Sequence, residues 1–237
     1  PLCPMTHKAT VLARLRGKKY EKARTLITKP RYPIAEAIEL LLKLRTVSFD
    51  ATAETHIRIL ADTTQADQLV RTTVHLPHGT GKTLRIAAFV PDDCIDEAKK
   101  AGAQLAGNQD LIAQVESGEI SFDVAVAHPK LMKDLGKVAK ILGQKGLMPS
   151  PKAGTVTENI TKAIGELRKG RIECKMDKQG IIHTVFGKFS FGPEKLRENL
   201  EVLLQTIKDA RPPGIKGEYI ATVTICPTMG PGVRVEL

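Results

Sequence analysis

The chain has 237 residues, 42% of them apolar and 26% charged, the profile of a folded globule with room for one large domain or two small ones. Its apolar runs are too short to cross a bilayer and its first residues lack the apolar core of a secretory signal, so no membrane partner is expected. Of the net charge of +10, residues 1–50 carry +7. In a basic arm over residues 1–31, Lys8, Arg14, Arg16, Lys18, Lys19, Lys22, Arg24, Lys29 and Arg31 face only Glu21, a footprint for polyanions such as nucleic acid.

After this arm, residues 33–44 predict an amphipathic helix, with Ile34, Ala37, Ile38, Leu41 and Leu42 at helical spacing and Pro33 suited to a first turn. Residues 53–61 and 69–75 alternate apolar and polar, the pattern of antiparallel strands wet on one face. The pattern changes at residues 76–83. Beyond it, strand-like runs at 84–90 and 124–127 alternate with helical patterns at 92–101, 109–117, 129–135 and 158–169. Continuous apolar strands between helices predict a parallel sheet covered on both faces. Residues 141–155, with three glycines, two prolines and two lysines around Leu147-Met148, predict a shaped loop. From residue 171 the first pattern returns: strands at 171–175 and 181–186, a long helix at 193–210, and strands at 219–226 and 233–236. Outer segments of one kind around an inner segment of another predict an inserted domain. The expected fold is thus α+β with an α/β insertion: a composite domain of residues 32–78 and 171–237, and an inserted domain of residues 79–170. Its two crossings would act as a hinge at Pro77, His78 and Gly79 and at Gly170 and Arg171.

Catalytic chemistry finds little support. The six histidines are scattered, and neither a Gly-x-Ser-x-Gly elbow nor a His-Glu-x-x-His pair occurs. Cys3, Cys94, Cys174 and Cys226 are far apart and form no Cys-x-x-Cys pair, so neither a metal nor a disulfide framework is expected, and no cofactor either. Gly81-Lys82-Thr83 ends like a P-loop, but Leu76 stands where that motif needs glycine, and a strand follows where it needs a helix. With three Tyr, six Phe and no Trp, stacking of bases on a sheet is a poor model. Recognition of a nucleic acid would rest instead on backbone, hydroxyl and shape contacts.

The run Gly-Gln-Lys-Gly-Leu-Met-Pro-Ser-Pro-Lys-Ala-Gly-Thr-Val at 143–156 resembles the signature of the L-one family of large-subunit ribosomal proteins in its bacterial form. That family usually has Pro-Arg at Gln144-Lys145 and Asn at Ser150; the spacing is intact, and the likeness runs from residue 32 to 236. The resemblance implies a Rossmann-like α/β domain inserted in an α+β domain that binds rRNA. Carried over by motif, the RNA-binding residues would be Thr228, Met229, Gly230 and Gly232, with Phe49, Thr52 and Glu54, and a third piece of Lys175, Asp177 and Lys178. Asp50 and Ala51 depart from the common pattern, as does Met176 in the usual Asn place. A strand-joining turn, a core Phe and a charged hairpin are the purely structural readings of the three pieces. The resemblance also implies a monomer in the stalk of the large ribosomal subunit, release of exit-site tRNA, and, in bacterial members, repression of the protein's own mRNA. Bacterial cytoplasm, plastid stroma and mitochondrial matrix all suit it. Two rival readings stand beside it: an RNA-binding regulator that never joins a ribosome, and a nucleotide-dependent enzyme relying on Lys82.

Overall fold

The computed structural model describes residues 17–63, 65–118, 120–215 and 217–236; Lys8, Arg14, Arg16 and Cys3 lie outside them. Helix α1 (Lys18–Thr25) lies inside the basic arm, which the polar sequence did not foretell; it buries Ala23 in the adjoining core. Tyr32, also buried, accepts hydrogen bonds at its hydroxyl from the amides of Thr28 and Lys29 (2.8 and 2.9 Å), tying the arm to the fold. Helix α2 (Ile34–Lys43) follows, with Pro33 just outside it at the cap, and buries Ala37, Ile38 and Leu41 as the helical spacing requires.

Strand β1 (Thr52–Ile59) alternates buried and partly exposed residues, whereas β2 (Arg71–His75) begins a separate ribbon. Strand β3 (Ile86–Phe89) is wholly buried. Helix α3 (Ile95–Ala101) ends at Gly102, whose φ of 104° suits a residue without Cβ. Strand β4 (Leu105–Gly107) is three residues long and carries no sequence period; it was not among the expected elements. Helix α4 (Gln109–Glu116) and strand β5 (Val124–Ala127) match the expected segments. Helices α5 (Met132–Leu135) and α6 (Ala139–Gln144) come next. The expected loop at 141–155 is therefore shorter than foreseen: residues 141–144 complete α6, because neither proline reaches back that far. After α7 (Ile160–Arg168) come β6 (Arg171–Lys175), β7 (Ile181–Lys188), α8 (Gly192–Asp209), β8 (Ile220–Pro227) and β9 (Val233–Val235).

Strands β7-β1-β8-β9 form an antiparallel sheet, β2 and β6 an antiparallel pair, and β4-β3-β5 a parallel sheet. The parallel sheet is covered on both faces, as expected. Ala87 and Phe89 meet Leu111, Val115, Leu135 and Leu142 on one side; Ile86 and Ala88 meet Ala98, Ile164 and Leu167 on the other. The antiparallel sheet buries one face against α2 and α8, where Ile57, Phe186, Val223 and Ile225 join Leu41, Leu200, Leu203 and Ile207. Each such fully buried aliphatic residue contributes about 1.5–3 kcal/mol. The members of this core come from residues 23–76 and 174–235, while both cores of the parallel sheet come from residues 86–167.

The two crossings lie side by side. Gly79 (φ 68°) and Gly170 (φ 98°) are in backbone contact, and a Cβ on Gly170 would collide with the Gly79 Cα. Leu76 donates its amide to Gly170 O at 3.3 Å. Buried Asn199 of α8 accepts from the His78 amide (3.1 Å) and donates to Gly79 O (3.1 Å) and Phe186 O (2.8 Å). Arg171 forms an ion pair with Glu166 at 2.6 Å. Pro77 is exposed.

Candidate nucleic-acid interface

Antiparallel pairing sets Pro227, the last residue of β8, opposite Ala53, near the start of β1. This register brings the 228–232 turn against Thr52 and Glu54, although 176 residues separate Thr52 from Thr228. The Thr228 hydroxyl accepts from the Thr52 amide (3.1 Å), lies 3.2 Å from Thr52 O, and is 3.5 Å from Glu54 Oε1. With its proton given to one of those oxygens, one acceptor lone pair stays free for an outside donor.

Met229 is the one non-glycine residue of positive φ (64°) among those described, and 77% of its surface is exposed. A left-handed backbone and an exposed thioether both carry a free-energy cost that packing within the chain does not offset, a combination found at binding surfaces. Gly230 closes the turn, donating its amide to Pro227 O at 2.9 Å, and a Cβ there would collide with the Pro227 ring. Gly232 lies exposed beyond it; a Cβ would come to 2.9 Å from Thr224 Cγ2. Phe49 is also exposed, at 54%, so the reading of it as core residue does not hold. Its loop is fixed by Arg45, whose guanidinium donates to Val47 O (2.9 Å), Ser48 O (2.6 Å) and Phe49 O (3.0 Å). Thr46 Oγ1 donates to Met229 O at 3.2 Å and so joins that loop to the turn. Lys19 and Lys22 of α1 line a groove with residues 45–48. The fold thus sets three cations around the loop of residues 45–48 that leads into Phe49. In the sequence both lysines stand out by charge alone, and Arg45 and Thr46 carry no signal of their own, because their role depends on long-range packing.

The third piece stands elsewhere. The 177–180 turn meets the far end of β1, where Gly180 O accepts from the Ile59 amide. Seven strand steps separate it from Thr52, roughly 24 Å at ~3.4 Å per residue. Asp177 is occupied by its own hairpin: Oδ1 accepts from the amides of Gln179 (2.9 Å) and Ile181 (2.8 Å), and Oδ2 lies 3.4 Å from His183 Nε2. These backbone bonds, Ile181 first, hold its carboxyl below the usual range. Lys175 and Lys178 project beside it, exposed. Between the two ends, the open face of the sheet carries a polar track of Glu54, His56, Cys226 and His183, scattered in sequence but brought together by strand register.

The Gly81-Lys82-Thr83 loop leads into β3, not into a helix, and Lys82 Nζ lies 3.5 Å from Asp123. A phosphate cradle at a helix N-terminus is not built there. Among the described residues no helix is long and apolar enough to cross a membrane.

Two comparisons with known proteins agree. The chain is 44% identical over 222 residues to the large ribosomal subunit protein uL1 of Kosmotoga olearia, covering 93% of this chain and 96% of that relative. The model of the Ribosomal protein L1p/L10e family matches residues 41–231, a span containing Phe49 and the Met229 turn, and with both agreements the chain belongs to that family.

Proposed function

We propose that this protein of the large ribosomal subunit anchors itself on folded rRNA through Phe49, Thr52, Glu54, Thr228, Met229, Gly230 and Gly232. The observation that carries the reading is Met229, held out in a left-handed backbone beside an exposed Phe49. The thioether and ring pack against ribose and base faces, and the spare lone pair of Thr228 accepts from a 2′-hydroxyl, the group that marks RNA. Lys19, Lys22 and Arg45 neutralise phosphates at this end. Lys175 and Lys178 reach a second backbone segment roughly 24 Å away, while Asp177 shapes their hairpin. No catalytic role is proposed.

Residues 32–78 and 171–237 then form the composite anchoring domain and residues 79–170 an inserted domain. The separate hydrophobic cores support this division, and the adjoining glycines support a hinge at Pro77, His78, Gly79, Gly170 and Arg171. In the ribosome the protein is a monomer of the stalk that aids departure of exit-site tRNA. Binding of a similar fold in its own mRNA would repress its translation, in bacterial cytoplasm or in an organelle.

A salt-titrated binding assay against a folded stalk rRNA fragment and a scrambled RNA tests the anchor. Wild type is expected to bind the folded fragment alone, and Met229→Asp to bind neither tightly. Lys22→Ala should lower the log–log salt slope by about 0.7–0.9, the share of one phosphate. Equal binding of both RNAs, unchanged in Met229→Asp, would overturn the reading in favour of a general polyanion binder.

A further inference from the structure

The polar track on the open face of the antiparallel sheet has the donor set of a metal centre. Glu54 and His56 lie two apart on β1 and so share a face; Cys226 pairs with Glu54 across to β8. One carboxylate oxygen, one imidazole nitrogen and the thiol sulfur lie within 4.8 Å of one another, all three side chains partly buried. His56 Nε2 and Cys226 Sγ are 3.1 Å apart.

A relay behind His56 sets its tautomer. Asp177 Oδ2 faces His183 Nε2 at 3.4 Å and fixes the proton on that nitrogen. In the neutral pair His183 Nδ1 is then an acceptor, so His56 Nδ1, 2.8 Å away, must be the donor. His56 Nε2 is left bare, its lone pair toward Cys226. A ligating histidine usually donates its other N–H to a carboxylate, a backbone carbonyl or water; here the His183 imidazole, itself facing Asp177, takes that place. Burial, and next the neighbouring His183, lower the basicity of His56, while Glu54 opposes them. Burial and then Glu54 push the Cys226 thiol up to about 11.

We propose that Glu54, His56 and Cys226 bind a divalent zinc-class ion, with water in the fourth position and His183 and Asp177 orienting His56. Oxygen, nitrogen and sulfur donors in one tetrahedral set suit Zn²⁺ over Mg²⁺ or Ca²⁺. On binding, the Cys226 S–H bond breaks, a metal–sulfur bond forms, and the proton leaves to solvent. The ion would share Glu54 with Thr228, 3.5 Å off, so it would abut the proposed RNA surface. The site stands whether or not that surface binds RNA.

The test is Co²⁺ titration of the full-length apoprotein, followed by visible absorption and then by competition with Zn²⁺. Wild type should take up one Co²⁺ per chain with a thiolate-to-cobalt charge-transfer band and tetrahedral ligand-field bands, both displaced by Zn²⁺. Cys226→Ser should lose the charge-transfer band and Cys94→Ser should keep it, each variant first checked for native circular dichroism. His56→Gln should lose the ligand-field bands. His183→Gln should bind about 10–100-fold more weakly; unchanged affinity would overturn the relay. A wild-type spectrum without a thiolate band, or a band that survives Cys226→Ser, would overturn the site.

Discussion

On the proposed anchor, Met229 separates stability from binding. Its φ of 64° costs a side-chain-bearing residue about 1–2 kcal/mol, a cost glycine escapes. Met229→Gly should therefore unfold at an equal or higher urea concentration, gaining up to about 1 kcal/mol after the larger chain entropy of glycine is counted. The same change removes an exposed thioether, and rRNA affinity should fall about 10–100-fold if its burial in the complex contributes roughly 1.5–3 kcal/mol. A variant both less stable and fully active would contradict the argument twice. Gly230→Ala should behave oppositely. Its Cβ would strike the buried Pro227 ring, an overpacking that costs about 1–3 kcal/mol and lowers Tm by about 2–4 °C per kcal/mol in a chain of this size. Thr228-Met229-Gly230 stood out through the family likeness, with an apolar side chain in a turn beside it; without that likeness a strand-joining turn is the ordinary reading. The exposure of Phe49 was legible through family likeness alone, since a phenylalanine at a strand entrance is more often buried.

At the level of elements, periodicity found β5, α4, α7 and α8 to within two residues, because each carries enough apolar positions to fix a face. It missed α1, with one buried residue in eight, and β4, three residues long, because tertiary contacts determine such segments. A shared device also joins elements that the sequence leaves apart: Asp123, just before β5, accepts from the Arg85 amide and guanidinium (both 3.2 Å) at the start of β3. The Arg85 side chain first, then its amide, depresses the Asp123 carboxyl from 3.8 to about 2. A depressed acid adds stability that is fully present above the unfolded value and lost as pH falls through the folded one. Wild type should thus exceed Asp123→Asn in stability above pH 3.8, and the difference should close between 3.8 and about 2 in urea titrations. At the crossings the two glycines should respond unequally. Gly79→Ala meets only its positive φ, with the nearest atom at 3.6 Å, and should cost about 1–2 kcal/mol. Gly170→Ala adds a backbone collision to the same strain and should cost about 2–4 kcal/mol.

For the whole molecule, the change of pattern near residues 79 and 170 suggested an insertion, and the apolar clusters draw on residues 23–76 and 174–235 or on residues 86–167, yet strand register was hidden. Nothing in the sequence tells that Cys226 pairs with Glu54, or that Thr228 bonds to Thr52, since each pair spans more than 170 residues. The same long-range closure makes a strong demand. The larger core draws on residues outside 79–170, and the cut ends, Gly79 and Gly170, already touch. Replacing residues 80–169 by a short Gly-Ser linker therefore spans almost no distance and removes no member of that core. What it does remove includes the Arg171–Glu166 ion pair, at the rim of the junction. The shortened chain should unfold cooperatively in urea and hold the folded rRNA fragment within about tenfold of wild type, a difference of roughly 1.4 kcal/mol. Cooperative folding with binding lost would place essential RNA contacts in residues 80–169 and remove the anchor from the outer segments. Failure to fold would show that the two sets of cores depend on each other, and the inserted-domain reading would fall with it.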